Sequence, residues 1–144
     1  MVRNRIKLML WTIGHSNLSK EEFLRLLKKY QIRILVDVRR FPKSKIEHFC
    51  KENMEYWLPA NDIDYFWLGE ELGGYRREGY EKYMETSSFE EGVKKLLEIA
   101  RKGRTCIMCL ETDPKYCHRR FIASYLRKRR IRVINIVRSK RKRK

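Results

Sequence analysis

Five short runs rich in apolar and β-branched residues recur along the 144-residue chain: KLMLWTI (7–13), RILVDVR (33–39), IDYFWL (63–68), TCIMCLE (105–111) and RVINIV (132–137). Between them lie segments with helical spacing and capping signals. Each run is too short for a helix and too apolar for a surface strand. Strands that alternate with helices must run parallel, because a crossover helix returns the chain to the same end of the sheet. The alternation therefore predicts an α/β fold: one open, mostly parallel five-stranded sheet with helices on both faces, a Rossmann-like or flavodoxin-like three-layer arrangement.

The helical segments carry their own signals. Ser19 and Glu22 form a capping box ahead of Phe23, Leu26, Leu27 and Tyr30, an i, i+3, i+4, i+7 stripe. Pro42 breaks the chain, and Ser44 is placed to cap a helix carrying Ile46, Phe49, Cys50 and Trp57. GEELGGYRREGY (69–80) reads as loop. A further helix is expected from Ser87 or Ser88, with Phe89, Val93, Leu96, Leu97 and Ala100 facing inward and Gly103 past its end. Phe121, Ile122, Tyr125 and Leu126 mark the last helix.

Composition limits the classes of function. The net charge is +17, and residues 127–144 hold 11 Lys/Arg and no acid, against 24 Lys/Arg and 18 Asp/Glu in the first 126. We expect one α/β domain over 1–137 and a basic, disordered tail over 138–144. Such a tail attracts polyanions non-specifically, so nucleic acid is a candidate partner. No run reaches the 18 or more apolar residues of a membrane span, and MVRNRIKLMLW lacks the cleavage site of a signal peptide. A cytoplasmic location with Cys50, Cys106, Cys109 and Cys117 as reduced thiols is the expectation. The 37% charged content and single glutamine resemble a protein from a hot environment.

In open parallel sheets ligands bind beyond the carboxyl ends of the strands. The reactive residues fall there: His15 after the first strand, Asp37 and Arg39 at the end of the second, Glu70 with Gly73 and Gly74 after the third, and MCLETDPKYCHRR (108–120) after the fourth. Alternation of side chains puts Cys109 and Glu111 on one face and Cys106 on the other, so Cys106 and Cys109 should not share a metal. Asp37 and Arg39 likewise oppose Val36 and Val38. Cys117 follows Pro114 and opens a helix beside His118, Arg119 and Arg120. Orphan backbone N–H groups and positive charge there favour a thiolate. The bland reading is a thiol packed at a helix start, with Asp113 an ordinary cap. His48 should be a surface residue.

These segments together resemble the domain of unknown function 488 family, through TIGHSN (12–17), DVRRFPKS (37–44), LGEELGG (68–74), GYEKYM (79–84) and the closing MCLETDPKYCHRR. The resemblance implies that His15, Asp37, Arg39, Pro42, Ser44, Gly73, Gly74, Cys109, Glu111, Pro114, Cys117, His118 and Arg119 act together; it supplies no substrate. Three readings stand. In the preferred one, an enzyme binds an anionic, phosphate- or nucleotide-like small molecule through Arg39, Ser44, Gly73, Gly74 and Arg119. Cys117 is then nucleophile or redox thiol, with Cys109, and His15, His118, Glu111 and Asp37 are acid, base or orienting groups. In the second, a nucleic-acid-binding module uses the basic segment, with Tyr65, Phe66, Trp67 and Tyr75 stacking on bases. In the third, Cys109, Glu111, Cys117, His118 and His15 hold zinc or iron in a hydrolase or sensor. No cofactor is assigned.

Overall fold

The computed structural model describes residues 8–111 and 117–137. Five strands form one all-parallel sheet: β1 (Met9–Gly14), β2 (Ile34–Asp37), β3 (Asp64–Trp67), β4 (Thr105–Cys109) and β5 (Arg132–Asn135), in the spatial order β3-β2-β4-β1-β5. The helices are α1 (Lys20–Lys29), α2 (Lys51–Trp57), α3 (Gly69–Leu72), α4 (Tyr80–Tyr83), α5 (Ser87–Ala100) and α6 (Arg119–Lys128). This is a three-layer α/β fold, as the alternation of runs predicts.

Each sheet face carries one half of the core. Trp11, Ile13, Leu35, Cys106 and Met108 pack against Phe23 and Leu27 of α1 and Met54 and Trp57 of α2. Leu10, Val36, Ile107 and Cys109 pack on the opposite face against Phe89, Val93 and Leu96 of α5 and Ile122 and Leu126 of α6. Cys106 and Cys109 therefore lie on opposite faces, as parity requires. Burial pushes the Cys106 thiol pKa up, which leaves it a small apolar core group.

The strand order makes the site. The chain moves outward from β1 to β2 to β3 with α1 and α2 on one face, then returns to β4 and crosses to β5 with α5 and α6 on the other. β4 therefore sits between β1 and β2, and the next described helix, α6, packs on the face opposite α1 and α2. Ligands of open parallel sheets bind where the strand order reverses in this way, and the strand ends there carry His15, Asp37 and Cys109, all buried.

Local signals are obeyed where they are local. The Ser19 hydroxyl accepts from the Glu22 N–H at 3.0 Å, and the Glu22 carboxylate accepts from the Ser19 N–H at 3.3 Å. Two expectations are corrected. Ser44 caps no helix: its hydroxyl accepts from the Ile46 N–H, a 3-10 turn covers Glu47–Phe49, and α2 starts only at Lys51. The stretch expected as loop holds α3 and α4. These helices are too short to stand on propensity; the Tyr80 hydroxyl donates to the Leu72 carbonyl and the Tyr83 hydroxyl to the Glu71 carbonyl, tying one helix to the other. α5 starts at Ser87, as expected, with the Thr86 hydroxyl accepting from the Phe89 N–H as its cap.

Candidate functional site

Two separate polar clusters occupy the carboxyl edge, one on each face of the sheet. The first is built on Asp37, which is fully buried. Its carboxylate accepts from Arg39 Nε at 2.9 Å and Nη2 at 2.7 Å, from the Arg39 backbone N–H at 3.0 Å, and from the Tyr65 hydroxyl. Residues two apart on an extended segment face the same way, so Asp37 and Arg39 can form this bidentate pair. Arg39 Nη1 reaches His15 Nε2 at 3.3 Å, and the His15 ring stacks on Phe49 at 4.3 Å between centroids. His15 Nδ1 lies 2.9 Å from the Ser16 carbonyl, which can only accept. The ring proton is therefore on Nδ1 and the lone pair on Nε2. Burial pulls the His15 pKa down to about 4. Burial, with the Asp37 charge, pushes the Tyr65 hydroxyl pKa up.

The second cluster lies on the α5/α6 face. A disulfide joins Cys109, at the last position of β4, to Cys117, two residues before α6. The expectation of four reduced thiols is thus corrected for this pair; Cys50 and Cys106 are free. Position explains the pairing: β4 ends pointing Cys109 at the face on which α6 begins. Cys117 precedes the helix, whose cap is His118. The Arg119 N–H points at the Cys117 sulfur at 3.4 Å. His118 Nε2 lies 3.0 Å from the Val38 carbonyl, so it carries the ring proton, and the bare Nδ1 faces the Cys117 sulfur at 3.8 Å. Burial holds the His118 pKa down at about 4. Gly74 lies against this ring: a Cβ there would sit 3.1 Å from Nδ1. The glycine thus serves close packing on the imidazole. Gly73, where a Cβ would strike the Arg40 Cα and Cβ, serves close packing between loops in the same way.

The residues expected to act together therefore divide. Cys109, Cys117, His118 and Gly74 meet. His15, Asp37 and Arg39 meet elsewhere, and among the described residues no hydrogen bond or ion pair joins them to Cys117 or His118. Neither His15 nor Asp37 is positioned to assist the sulfur. Arg39 and Arg119 are not open anion ligands. Arg39 is neutralised by Asp37, while Arg119, 1% exposed, donates to the Thr12 hydroxyl and, at 2.7 Å, to the Glu111 carbonyl. The Glu111 side chain is exposed. Ser44 lies beside Cys50, whose thiol donates to the Ser44 carbonyl at 3.3 Å. His48 is half-buried, with its ring 4.3 Å from that of Phe49 and its Nε2 3.1 Å from the Leu18 carbonyl. Asp113, Pro114 and the tail lie outside the described residues.

Sequence reasoning missed Tyr65 as a partner of Asp37, although its register opposite Leu35 puts it on the correct face. It also missed the Arg119–Thr12–Asn135 chain, in which Thr12 donates to Asn135 at 2.6 Å. A lone Asn inside an apolar strand was the available signal. Of the aromatics considered for stacking, Tyr65 is bound to Asp37 and the Trp67 indole N–H donates to the Arg39 carbonyl at 2.7 Å. Tyr75 is 82% exposed. Among the described residues no group of three His, Cys, Asp or Glu side chains is arranged to hold a metal, and no helix is long and apolar enough to cross a membrane.

The fold and the edge define a class: an open parallel α/β protein with paired cysteines and a buried imidazole where the strand order reverses. Residues 19–126 match the family model described as domain of unknown function DUF488, and the chain belongs to that family. The matched span contains every residue of both clusters except Thr12, His15, Ser16 and Asn135. No curated protein and no solved structure matches the chain.

Proposed function

We propose that the protein is an enzyme of thiol–disulfide chemistry, acting on an anionic substrate at the carboxyl edge of β4. The observation that carries this reading is the convergence of Cys109, Cys117 and the bare His118 Nδ1 at the start of α6. In the reduced protein the bare His118 Nδ1 can accept a hydrogen bond from the Cys117 thiol, and the backbone N–H of Arg119 and the helix dipole favour the thiolate once its proton leaves to solvent. Cys117, 8% exposed against 1% for Cys109, attacks one sulfur of a substrate disulfide and expels the other as a thiolate. Cys109 then attacks Cys117, releasing the second substrate thiolate and closing the Cys109–Cys117 bond. Two electrons pass from protein to substrate, and a second dithiol restores the reduced pair by the reverse exchange. The charge of Arg76, felt at the His118 ring, favours an anionic substrate.

The test is equilibration in graded thiol–disulfide buffers followed by alkylation and peptide mapping. We expect Cys109 and Cys117 to protect one another together as the buffer becomes oxidising, while Cys50 stays alkylatable. Cys117→Ser should abolish turnover of a small aromatic disulfide such as dithiobis-nitrobenzoate at catalytic protein concentration, at least a hundredfold below wild type. If Cys109 and Cys117 remain independently alkylatable throughout, the reading is wrong.

A further inference from the structure

Phe41 and Tyr75 are 63% and 82% exposed, yet their rings pack on one another at 5.7 Å between centroids. They come from different loops, after β2 and after β3. Arg40 ties the loops together: its Nη1 donates to the Tyr75 carbonyl at 3.1 Å, and its guanidinium lies 5.8 Å from the Phe41 ring. Tyr75 has φ +58°, a left-handed conformation unfavourable for a tyrosine. The fold thus spends free energy to hold a large aromatic side chain out in water. Nothing in the core uses either ring.

The surroundings are cationic. Residues 40–46 contain three Lys/Arg and no acid, and the chain as a whole carries +17. Arg40 is partly exposed, while Lys43, Lys45 and Arg77 are exposed. Arg76 is anchored to the Gly73 carbonyl at 2.9 Å and covers the Tyr83 ring. Glu70 and Glu78 are the exposed acids of the same β3 loop. Flat apolar rings interleaved with positive charge match a ligand that alternates flat rings with phosphates.

We propose that the Phe41–Tyr75 pair is a base-stacking platform for single-stranded nucleic acid. Successive bases lie on the two rings, and Arg40, Lys43, Lys45 and Arg77 meet the backbone phosphates. Duplex DNA, whose bases are stacked on each other, offers no free face to these rings. The inference stands independently of the thiol–disulfide reading, since it uses neither Cys117 nor Cys109.

The test is fluorescence anisotropy of the full-length protein with a labelled twelve-nucleotide oligothymidylate across a salt series. The Phe41→Ala/Tyr75→Ala protein should bind at least tenfold more weakly, with the slope of log affinity against log salt unchanged because every cation remains. Phe41→Trp/Tyr75→Trp should restore the affinity, which also shows that the loops tolerate substitution. A blunt duplex of equal length and inorganic polyphosphate should compete poorly. Absence of binding, unchanged affinity in the alanine protein, or equal competition by polyphosphate would each overturn the proposal, the last leaving only attraction of charge. Cys117→Ser should bind the oligonucleotide as wild type does, whatever its effect on disulfide turnover.

Discussion

Asp37→Ala is expected to destabilise the protein by about 3–5 kcal/mol, measured as a shift in the urea midpoint at constant slope. The carboxylate is fully buried and accepts from Arg39 and Tyr65. Its removal strands a guanidinium that is 6% exposed, and a buried charge without its partner is among the most destabilising point changes. The pair itself is worth less than the loss suggests, because both ions were taken out of water to form it. The double variant Asp37→Ala/Arg39→Met should therefore recover much of the loss, with the thioether joining Met54, which Arg39 Nη2 already approaches at 3.6 Å. A double variant as unstable as the single one would mean that the carboxylate matters for something other than Arg39.

Acid should weaken the fold before ordinary carboxylates titrate. His15 and His118 are buried neutral, with pKa values pulled down to about 4. The unfolded chain binds their protons near pH 6.5, so below that value it gains protons that the native state refuses. Stability is full above pH 6.5 and falls as pH drops toward 4. Each group costs about 2 kcal/mol by pH 5 and about 3 kcal/mol by pH 4, less for His118, which keeps some contact with solvent. Chemical denaturation at pH 7, 6 and 5 measures the slope. His15→Gln should remove roughly half of it. A stability that stays flat from pH 7 to pH 5 would show that the rings take up protons in the folded protein.

The two clusters show why one half of the site was legible from sequence and the other was misread. The capping box at Ser19 and Glu22 and the parity of Cys106 against Cys109 depend on neighbours within a few positions, and both were read correctly. The grouping of Asp37 with Arg39 was read too. Its purpose was not, because parity tells which residues share a face and not what packs upon it. Tyr65 and Phe49 arrive from 28 and 12 positions beyond Asp37, and they turn a candidate base and anion ligand into a buried clamp. Proximity of the strand ends also led to a single merged site. The sheet lies between its two parts, and the packing of α6 on the face opposite α1 and α2 decides which residues meet. The short helices α3 and α4 escaped notice for the same reason: side-chain bonds from Tyr80 and Tyr83 hold them, and no local pattern announces those bonds.

The strand order has a consequence for the way the chain is made. β1 and β2, the first two strands, are not neighbours; β4 pairs with both, through Leu10↔Thr105 on one side and Ile34↔Thr105 on the other. Until residues 105–109 have been synthesised, β1 has no partner and β2 pairs only with β3. An emerging chain therefore carries β1 without a strand partner throughout the synthesis of residues 15–104. The arrival of one five-residue strand joins β1 to β2 and sets Asp37 beside Met108. The partner of Cys109 and the last strand follow it in the chain, so the sulfur pair and the far edge of the sheet are completed later still.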